Sequence, residues 1–497
     1  MVGSGARGGM DRLSQRTLGA VAPQVARPPA AAVEAEIGIV HLGLGAFHRA
    51  HQAILTQRAL AMAPGPWAIS GASLRGKAVR DALVPQDCLY TLLENDGTVE
   101  RASVVGIIRE ALFAPEDGRL LLGRIAAPAT RIVSLTVTEK GYCHHPATGE
   151  LDLDHPDTRA DLAGGDPPRS TLGWLVRGLA QRRAAGAGGL TVLCCDNMAS
   201  NGRALRGLVR QYAEAADPDL ASWIEGEVHF PSSMVDRIVP ATTEASLAHA
   251  ASVLGLRDEA AVSAETFFQW VIEDDFAAGR PRWEAVGVEL VQDVVPYQEM
   301  KLRLLNGPHS AIAYIGALLG KTFVADVMAN PELARFVERL MREEIAPCTP
   351  IPPGFDADGY IQALLQRFAN RSLNHRTLQI AMDGSQKIPV RWLPTLREAR
   401  RRGLPVPRLV TALAAWLRFL GGRDEAGTDL PLDDPLATRL RAVAAGAADD
   451  PTALVRAALA VEEVFGRDLR QDAGLVEQLT QASARIARHG VRAVLAD

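Results

Sequence analysis

The chain has 497 residues, 47% of them hydrophobic, which suffices for two or three domains with large cores and excludes a mostly disordered polypeptide. Its 53 Lys and Arg are spread among 58 Asp and Glu for a net charge of −5, so no electrostatic footprint for nucleic acid is present and no such partner is expected. No apolar run reaches the ~20 residues that span a bilayer, and the five cysteines form no Cys-x-x-Cys spacing, so a cytoplasmic protein with reduced thiols and no membrane partner is expected.

In chain order, residues 1–33 are rich in Ala, Gly, Arg and Pro and read as a flexible segment. The composition admits a transit peptide, it holds no apolar signal core, and Met10 offers an alternative start. Ile37-Gly-Ile-Val-His-Leu42 then reads as a buried parallel strand running into Gly43-Leu-Gly45-Ala46-Phe47-His48-Arg49-Ala-His51. Two glycines between strand and helix let the backbone approach a pyrophosphate at a helix N-terminus, which makes Gly43, Gly45, Ala46, Phe47 and His48 candidates for dinucleotide binding. His48 replaces the third glycine of that fingerprint, and Gly-x-Gly alone is also a common tight turn. His48 and Arg49, cations in a first helical turn, oppose the helix dipole unless an anion sits there. Near His41, His48 and His51 no Cys pair or His-Glu partner stands at ligand spacing, so no metal is expected.

The next strand, from Trp67 to Ser73, ends without the Asp or Glu that holds ribose hydroxyls in NAD-preferring domains. Arg75 and Lys77 follow it, and these cations suit a 2′-phosphate. A strand at 131–137 and a helix over 170–185 continue the α/β alternation toward residue 290. Leu-Thr-Val-Leu-Cys-Cys ahead of Asp196 is a further strand, and ligands bind at the carboxyl ends of parallel strands, where Asn197 stands. An Asx turn is the plainer reading of the same asparagine.

After Tyr297 the pattern becomes mostly helical, with amphipathic segments at 331–345 and 453–465. The expected fold class is therefore α/β: a Rossmann-like, doubly wound domain over 34–292 and a mostly α-helical catalytic domain over 293–497, with the active site in the cleft between them. Lys301-Leu-Arg-Leu-Leu-Asn306-Gly-Pro-His309 opens the second domain. In an α-helix Asn306 lies roughly 140° and His309 roughly 80° from Lys301, so the three share one side. Alternatively Gly307-Pro308 starts a new helix. A lysine whose pKa is depressed by burial and a nearby positive charge serves as acid/base, an asparagine amide donates to a developing oxyanion, and a histidine orients the alcohol or carbonyl. Equally, Lys301 snorkels to water, Asn306 caps the following helix and His309 sits in the core. The basic run Arg397 to Gly403 reads as a solvated helix end.

Three motifs in order, Gly43-x-Gly45-x-Phe47-His48-Arg49-Ala-His51, Cys195-Asp196-Asn197-Met-Ala-Ser-Asn201-Gly202 and Lys301-x4-Asn306-x2-His309, resemble the polyol-specific long-chain dehydrogenase family, which includes mannitol 2-dehydrogenases and fructuronate reductases. The resemblance runs from about residue 12 onward. It implies a zinc-independent, nicotinamide-dependent oxidoreductase in which Lys301 is the acid/base, Asn197 and Asn306 form the oxyanion hole and His309 positions the substrate. The stretch Phe368 to Lys387 is similar to the fructuronate reductase branch: Gln379 stands near the place where mannitol 2-dehydrogenases are expected to carry arginine, while His375, Arg376 and Lys387 line the implied substrate site. Arg376 and Lys387 together suit a sugar-acid carboxylate, although basic residues are frequent on solvated helix faces. Met234-Val-Asp236-Arg237-Ile resembles another pocket segment, with Asp236 either accepting from sugar hydroxyls or pairing with Arg237. Gln298 departs from the family, where an acid near this place is thought to pass the proton to solvent.

The expected reaction is thus interconversion of a keto-sugar acid and its aldonate, with a mannitol 2-dehydrogenase or other polyol dehydrogenase as the alternative. A non-catalytic nucleotide sensor has no use for Lys301 and two asparagines. The resemblance leans to NAD and the charge of Arg75 and Lys77 to NADP, so NAD is the expected cofactor with NADP possible. A monomer is implied.

Overall fold

The computed structural model describes residues 9–145, 148–447 and 450–494 and divides into two compact units, Met1–Val295 and Pro296–Asp497. In chain order the strands are β1 (Ile37–Leu42), β2 (Ala68–Ser73), β3 (Tyr90–Asn95), β4 (Glu100–Val105), β5 (Ile108–Phe113), β6 (Ile132–Leu135), β7 (Thr191–Cys194), β8 (Ser233–Asp236), β9 (Val262–Glu265), β10 (Gln269–Glu273) and β11 (Glu289–Val291), all in the first unit.

The central sheet has the order β5-β2-β1-β6-β7, and every neighbouring pair is parallel. Alternate residues of β1 enter opposite cores, as the two-residue period of a strand requires. Ile39 packs with Ile54, Ile69 and Trp283 on one face, while Val40 and Leu42 pack with Val133, Trp174 and Leu175 on the other. Because the chain leaves β1 toward β2 on one side and reaches β6 on the other, the carboxyl end of β1 is the switch point where such sheets bind ligands. Two three-stranded sheets, β4-β3-β9 and β11-β10-β8, complete the unit.

The expectation of a flexible segment through residue 33 does not hold for residues 9–33. Leu13, Val21 and Val25 are buried against Leu89, Val104 and Leu254, and Ala26 donates its backbone N–H to Ala102. The spaced apolar residues that anchor this segment are diluted by Ala, Gly and Pro, so composition alone hides them. Residues 1–8 lie outside the described residues.

Among its described residues the second unit is built of helices and loops, with no strand apart from isolated bridges. Its central helix, Gly307–Leu318, is buried almost entirely and packs on Thr377–Ala381 and Pro407–Phe419, the latter covered in turn by Ala473–His489. The basic helix Leu393–Arg402 stops at Gly403 with φ +68°, a left-handed residue that glycine adopts without strain, as the sequence pattern implied. Among the described residues no helix is long and apolar enough to cross a membrane, and all five cysteines are buried and free.

Candidate active site

The turn after β1 is shaped by steric necessity. Gly43 has φ +100°, and a Cβ there would meet the Thr136 carbonyl oxygen at 2.2 Å. At Gly45 a Cβ would face only Gly43 O at 3.6 Å, so this side of the turn leaves space. Beneath it, His41 Nδ1 lies 2.9 Å from Ser134 Oγ and Nε2 2.9 Å from Thr136 Oγ1, whose hydroxyl donates to Gly43 O at 2.9 Å. That network assigns the Nε2–H tautomer and pins β1, β6 and the turn together.

Ala46–His48 opens the following helix with Gly45 as its extended N-cap, so the backbone amides of Ala46 and Phe47 stand at its start. A cavity of about 170 Å³ beside the turn is lined by Gly43, Leu74, Arg75, Thr136 and Val137 from the ends of β1, β2 and β6, together with Arg169. Gly43 and Arg75 are thereby brought together at the switch point, where sheets of this kind bind ligands.

His48 requires a correction. It is fully buried, stacks on His41 with ring centroids 3.4 Å apart, and shares a hydrogen bond of 2.8 Å between Nδ1 and Gln52 Oε1. Burial lowers its pKa to about 3, so it is neutral and supports the turn from below; it is not a cation facing a phosphate. Arg49 is committed too, donating to Gly45 O and Ala260 O and lying over the Tyr90 ring.

Asn197 follows β7 by three residues and is exposed at the carboxyl end of the central sheet. Its neighbours hold that loop. Asp196, buried, accepts from Tyr142 Oη (2.6 Å), Thr138 N (2.9 Å) and Val137 N (3.2 Å). Asn201 donates to Asp196 O and accepts from Ser233 N, which ties β7 to β8. Asp236 is buried at the end of β8. The alternative of an Asp236–Arg237 ion pair gives way to a different one: Arg237 bonds Glu94 at 2.5 Å and the carbonyl of Glu265.

In the second unit, residues Lys301–Asn306 form a π-helical turn continuous with the helices on either side. Gly307 donates to Leu302 O, five residues back, and Pro308 has no N–H and would crowd the carbonyl four residues before it in a regular α-helix. Widening the turn relieves that clash. With i→i+5 bonding, Asn306 lies roughly 50° around the helix from Lys301 rather than the roughly 140° that an α-helix gives. Asn306 is helical and makes no side-chain cap, so the capping alternative fails. Lys301 is 7% exposed, so the snorkelling alternative fails as well.

His309 stacks on Phe368 at 5.2 Å and meets His375 edge-on at 4.7 Å. Burial, reinforced by His375, Arg391, Arg367 and Lys387, holds its pKa well below the usual histidine range. Among the described residues, His375 Nδ1 is buried without a hydrogen-bond partner.

The pairing of Arg376 with Lys387 is not what the fold provides. Arg376 is exposed and lies over the Phe323 ring at 5.9 Å, whereas Lys387 donates to Ile380 O at 3.2 Å and faces Asp383 at 4.0 Å. The cations around His309 are Arg367, Lys387 and Arg391. Neither Arg367 nor Arg391 was legible as a site residue, because only the packing of Ala357–Ala369 and Gly384–Arg391 against the central region brings them there. Among the described residues, one group of metal-ligand type, Cys143, His155 and Asp157, has donor atoms within 4.8 Å of one another. There His155 Nδ1 accepts the Asp157 N–H as the cap of Pro156–Leu162, a structural use.

Comparison with known proteins agrees with this architecture. Residues 37–285 match the mannitol dehydrogenase Rossmann domain and residues 293–487 the mannitol dehydrogenase C-terminal domain. The oxidoreductase YdfI of Escherichia coli is 44% identical over 92% of this chain and 94% of its own, and the D-mannonate oxidoreductase of the same organism is 42% identical over 95% and 98%. A Pseudomonas fluorescens mannitol 2-dehydrogenase, solved as a ternary complex with NAD and D-mannitol, is 36% identical and superposes with a TM-score of 0.82 over 97% of this chain and 98% of that one. With both domain models matched in order along one chain, the protein belongs to the mannitol dehydrogenase family of oxidoreductases.

Proposed function

We propose that the protein is an NAD-dependent oxidoreductase that interconverts a keto-sugar acid and its aldonate. The observation that carries this reading is the π-helical turn that holds both Lys301 and Asn306, followed by a His309 whose pKa is lowered by burial and by the charges of Arg391, Arg367 and Lys387. The turn at Gly43 and Gly45, with the adjoining cavity and Arg75, fits a dinucleotide: one face is closed by Thr136 and the other is open. A nicotinamide dinucleotide held there would supply the hydride acceptor for oxidation of the alcohol carbon and the hydride donor for the reverse reduction.

The chain's own groups do the rest. Lys301, buried, takes the hydroxyl proton on Nζ during oxidation and returns it during reduction. Asn306 and Asn197 donate amide N–H groups to the oxygen as it gains charge. His309, kept neutral by burial and secondarily by the charges near it, orients that oxygen by hydrogen bonding and leaves acid/base work to Lys301. Asp236 and His375 accept from sugar hydroxyls. Lys387, with Arg391 and Arg367 nearby, supplies the field for a carboxylate, replacing the Arg376–Lys387 clamp read from sequence. No step assigned to these residues calls on a metal.

Substrate class is tested by following NADH and NADPH absorbance with fructuronate, tagaturonate and fructose, and in reverse with mannonate, mannitol and arabinitol. Oxidation of NADH by the uronates with little response to fructose is the expected result. Preference for fructose and mannitol would replace the sugar-acid reading by a polyol dehydrogenase, the activity named for the Pseudomonas fluorescens relative.

A further inference from the structure

A π-helical turn is a rare, poorly packed conformation, and a one-residue slip back to α-helical register would swing Asn306 to roughly 140° from Lys301. Something must hold it. Two consecutive residues from another helix reach its exit: Arg391 donates to Asn306 O at 3.3 Å and to Ser310 Oγ at 2.9 Å, and Trp392 Nε1–H donates to Gly307 O at 2.8 Å. The fit at this crossing is close, since a Cβ on Gly307 would lie 3.3 Å from Arg391 O and 3.6 Å from the Trp392 ring.

The clasp itself stands on a fixed support. Trp392 is fully buried and meets Tyr314 edge-on at 6.0 Å. Its helix, Gly384–Arg391, starts where Ser385 donates N–H and hydroxyl to Asp434 at 2.8 and 2.6 Å. At Gly384 a Cβ would collide with Tyr314 Oη at 2.6 Å, so this helix sits as near the central one as backbone permits. A donor delivered from a rigid element to a fixed carbonyl restrains a neighbouring turn better than one from a loop.

We propose that Arg391 and Trp392 are positioning residues that lock the π-helical turn and thereby align Asn306 with Lys301; this rests on the oxidoreductase reading above. The clasp acts on backbone, touching neither reacting atoms nor dinucleotide turn.

The test is a double-mutant cycle between the clasp and Asn306, measuring kcat and KM for the best substrate, NAD affinity by fluorescence titration and the melting temperature. Arg391→Met is expected to lower kcat at least tenfold with NAD affinity unchanged within twofold, and Arg391→Lys, which keeps the charge and one donor, to recover at least threefold of that loss. Trp392→Phe, which removes only the N–H, should lower kcat three- to tenfold and keeps the test available if Arg391→Met does not fold. In an Asn306→Ala background either clasp variant should lower kcat by less than a further twofold, because there is no amide left to align, while any loss of the Arg391 charge from the carboxylate field shows in KM and is the same in both backgrounds.

Equal losses in both backgrounds, an unchanged kcat in the clasp variants, or a loss that tracks melting temperature with no recovery in Arg391→Lys would each overturn the proposal. Full turnover by Asn306→Ala alone would instead remove the oxyanion role of Asn306, a failure of the functional reading that the single mutant identifies by itself.

Discussion

Gly43 shows what a single position contributes. Its φ of +100° and the Thr136 oxygen 2.2 Å from any Cβ combine a backbone penalty with a steric one. Gly43→Ala is therefore expected to cost at least about 2 kcal/mol of stability. It should also weaken dinucleotide binding more than tenfold, read by thermal unfolding and by titration with NAD; unchanged binding would mean that the turn does not face the cofactor. This glycine was legible in sequence because a turn between an apolar strand and a helix asks for it. Lys301, Asn306 and His309 were legible for a different reason, three reactive side chains within nine residues. Asp196 and Arg391 were not, since what gives each its role is a partner far along the chain: Tyr142 and Thr138 for one, Asn306 and Ser310 for the other. His48 was misread because a histidine at a helix start looks cationic until its burial is known.

Elements were legible where periodicity was strong and local. The apolar run of β1 and the alternation of strands with helices gave the parallel sheet, and the loss of strands after Tyr297 gave the helical unit. What periodicity could not give is the π-helical turn at Lys301–Asn306, because a 3.6-residue template assumes the register that Pro308 disturbs. Two further π-helical turns occur among the described residues: Arg49–Ala53 follows the dinucleotide turn, and Leu340–Ile345 lies outside the candidate site. Anchoring of residues 9–33 was likewise illegible: the segment gains order only from Leu13, Val21 and Val25 finding partners contributed by β3, β4 and Glu244–Leu254.

For the folded molecule the buried histidines around the first unit's turn set a pH dependence. Burial holds His41, His48 and His51 below the ordinary value of 6.5, the last two at about 3. Below pH 6.5 the unfolded chain takes up these protons and the folded chain does not, at His48 and His51 until near pH 3, so the stability present above 6.5 is lost as pH falls below it. Each such histidine contributes up to ~1.4 kcal/mol per pH unit. Asp196 and Asp258, whose carboxyl pKa values burial raises, act in the opposite sense at lower pH. Urea unfolding at pH 7.5 and 5.5 should show a loss of several kcal/mol, and His48→Asn should lose about 1.4 kcal/mol less over that interval. Equal losses in the two proteins would contradict a neutral, buried His48.

The most direct test of the central claim is Lys301→Ala, assayed for turnover with the best sugar acid or polyol and, separately, for NAD binding by fluorescence titration. If Lys301 is the acid/base of a nicotinamide-dependent oxidoreductase, kcat falls by about 10²- to 10⁴-fold while NAD affinity stays within twofold of the unmodified protein. Turnover retained within tenfold would contradict that role and with it the mechanism assigned to the Lys301–Asn306 turn.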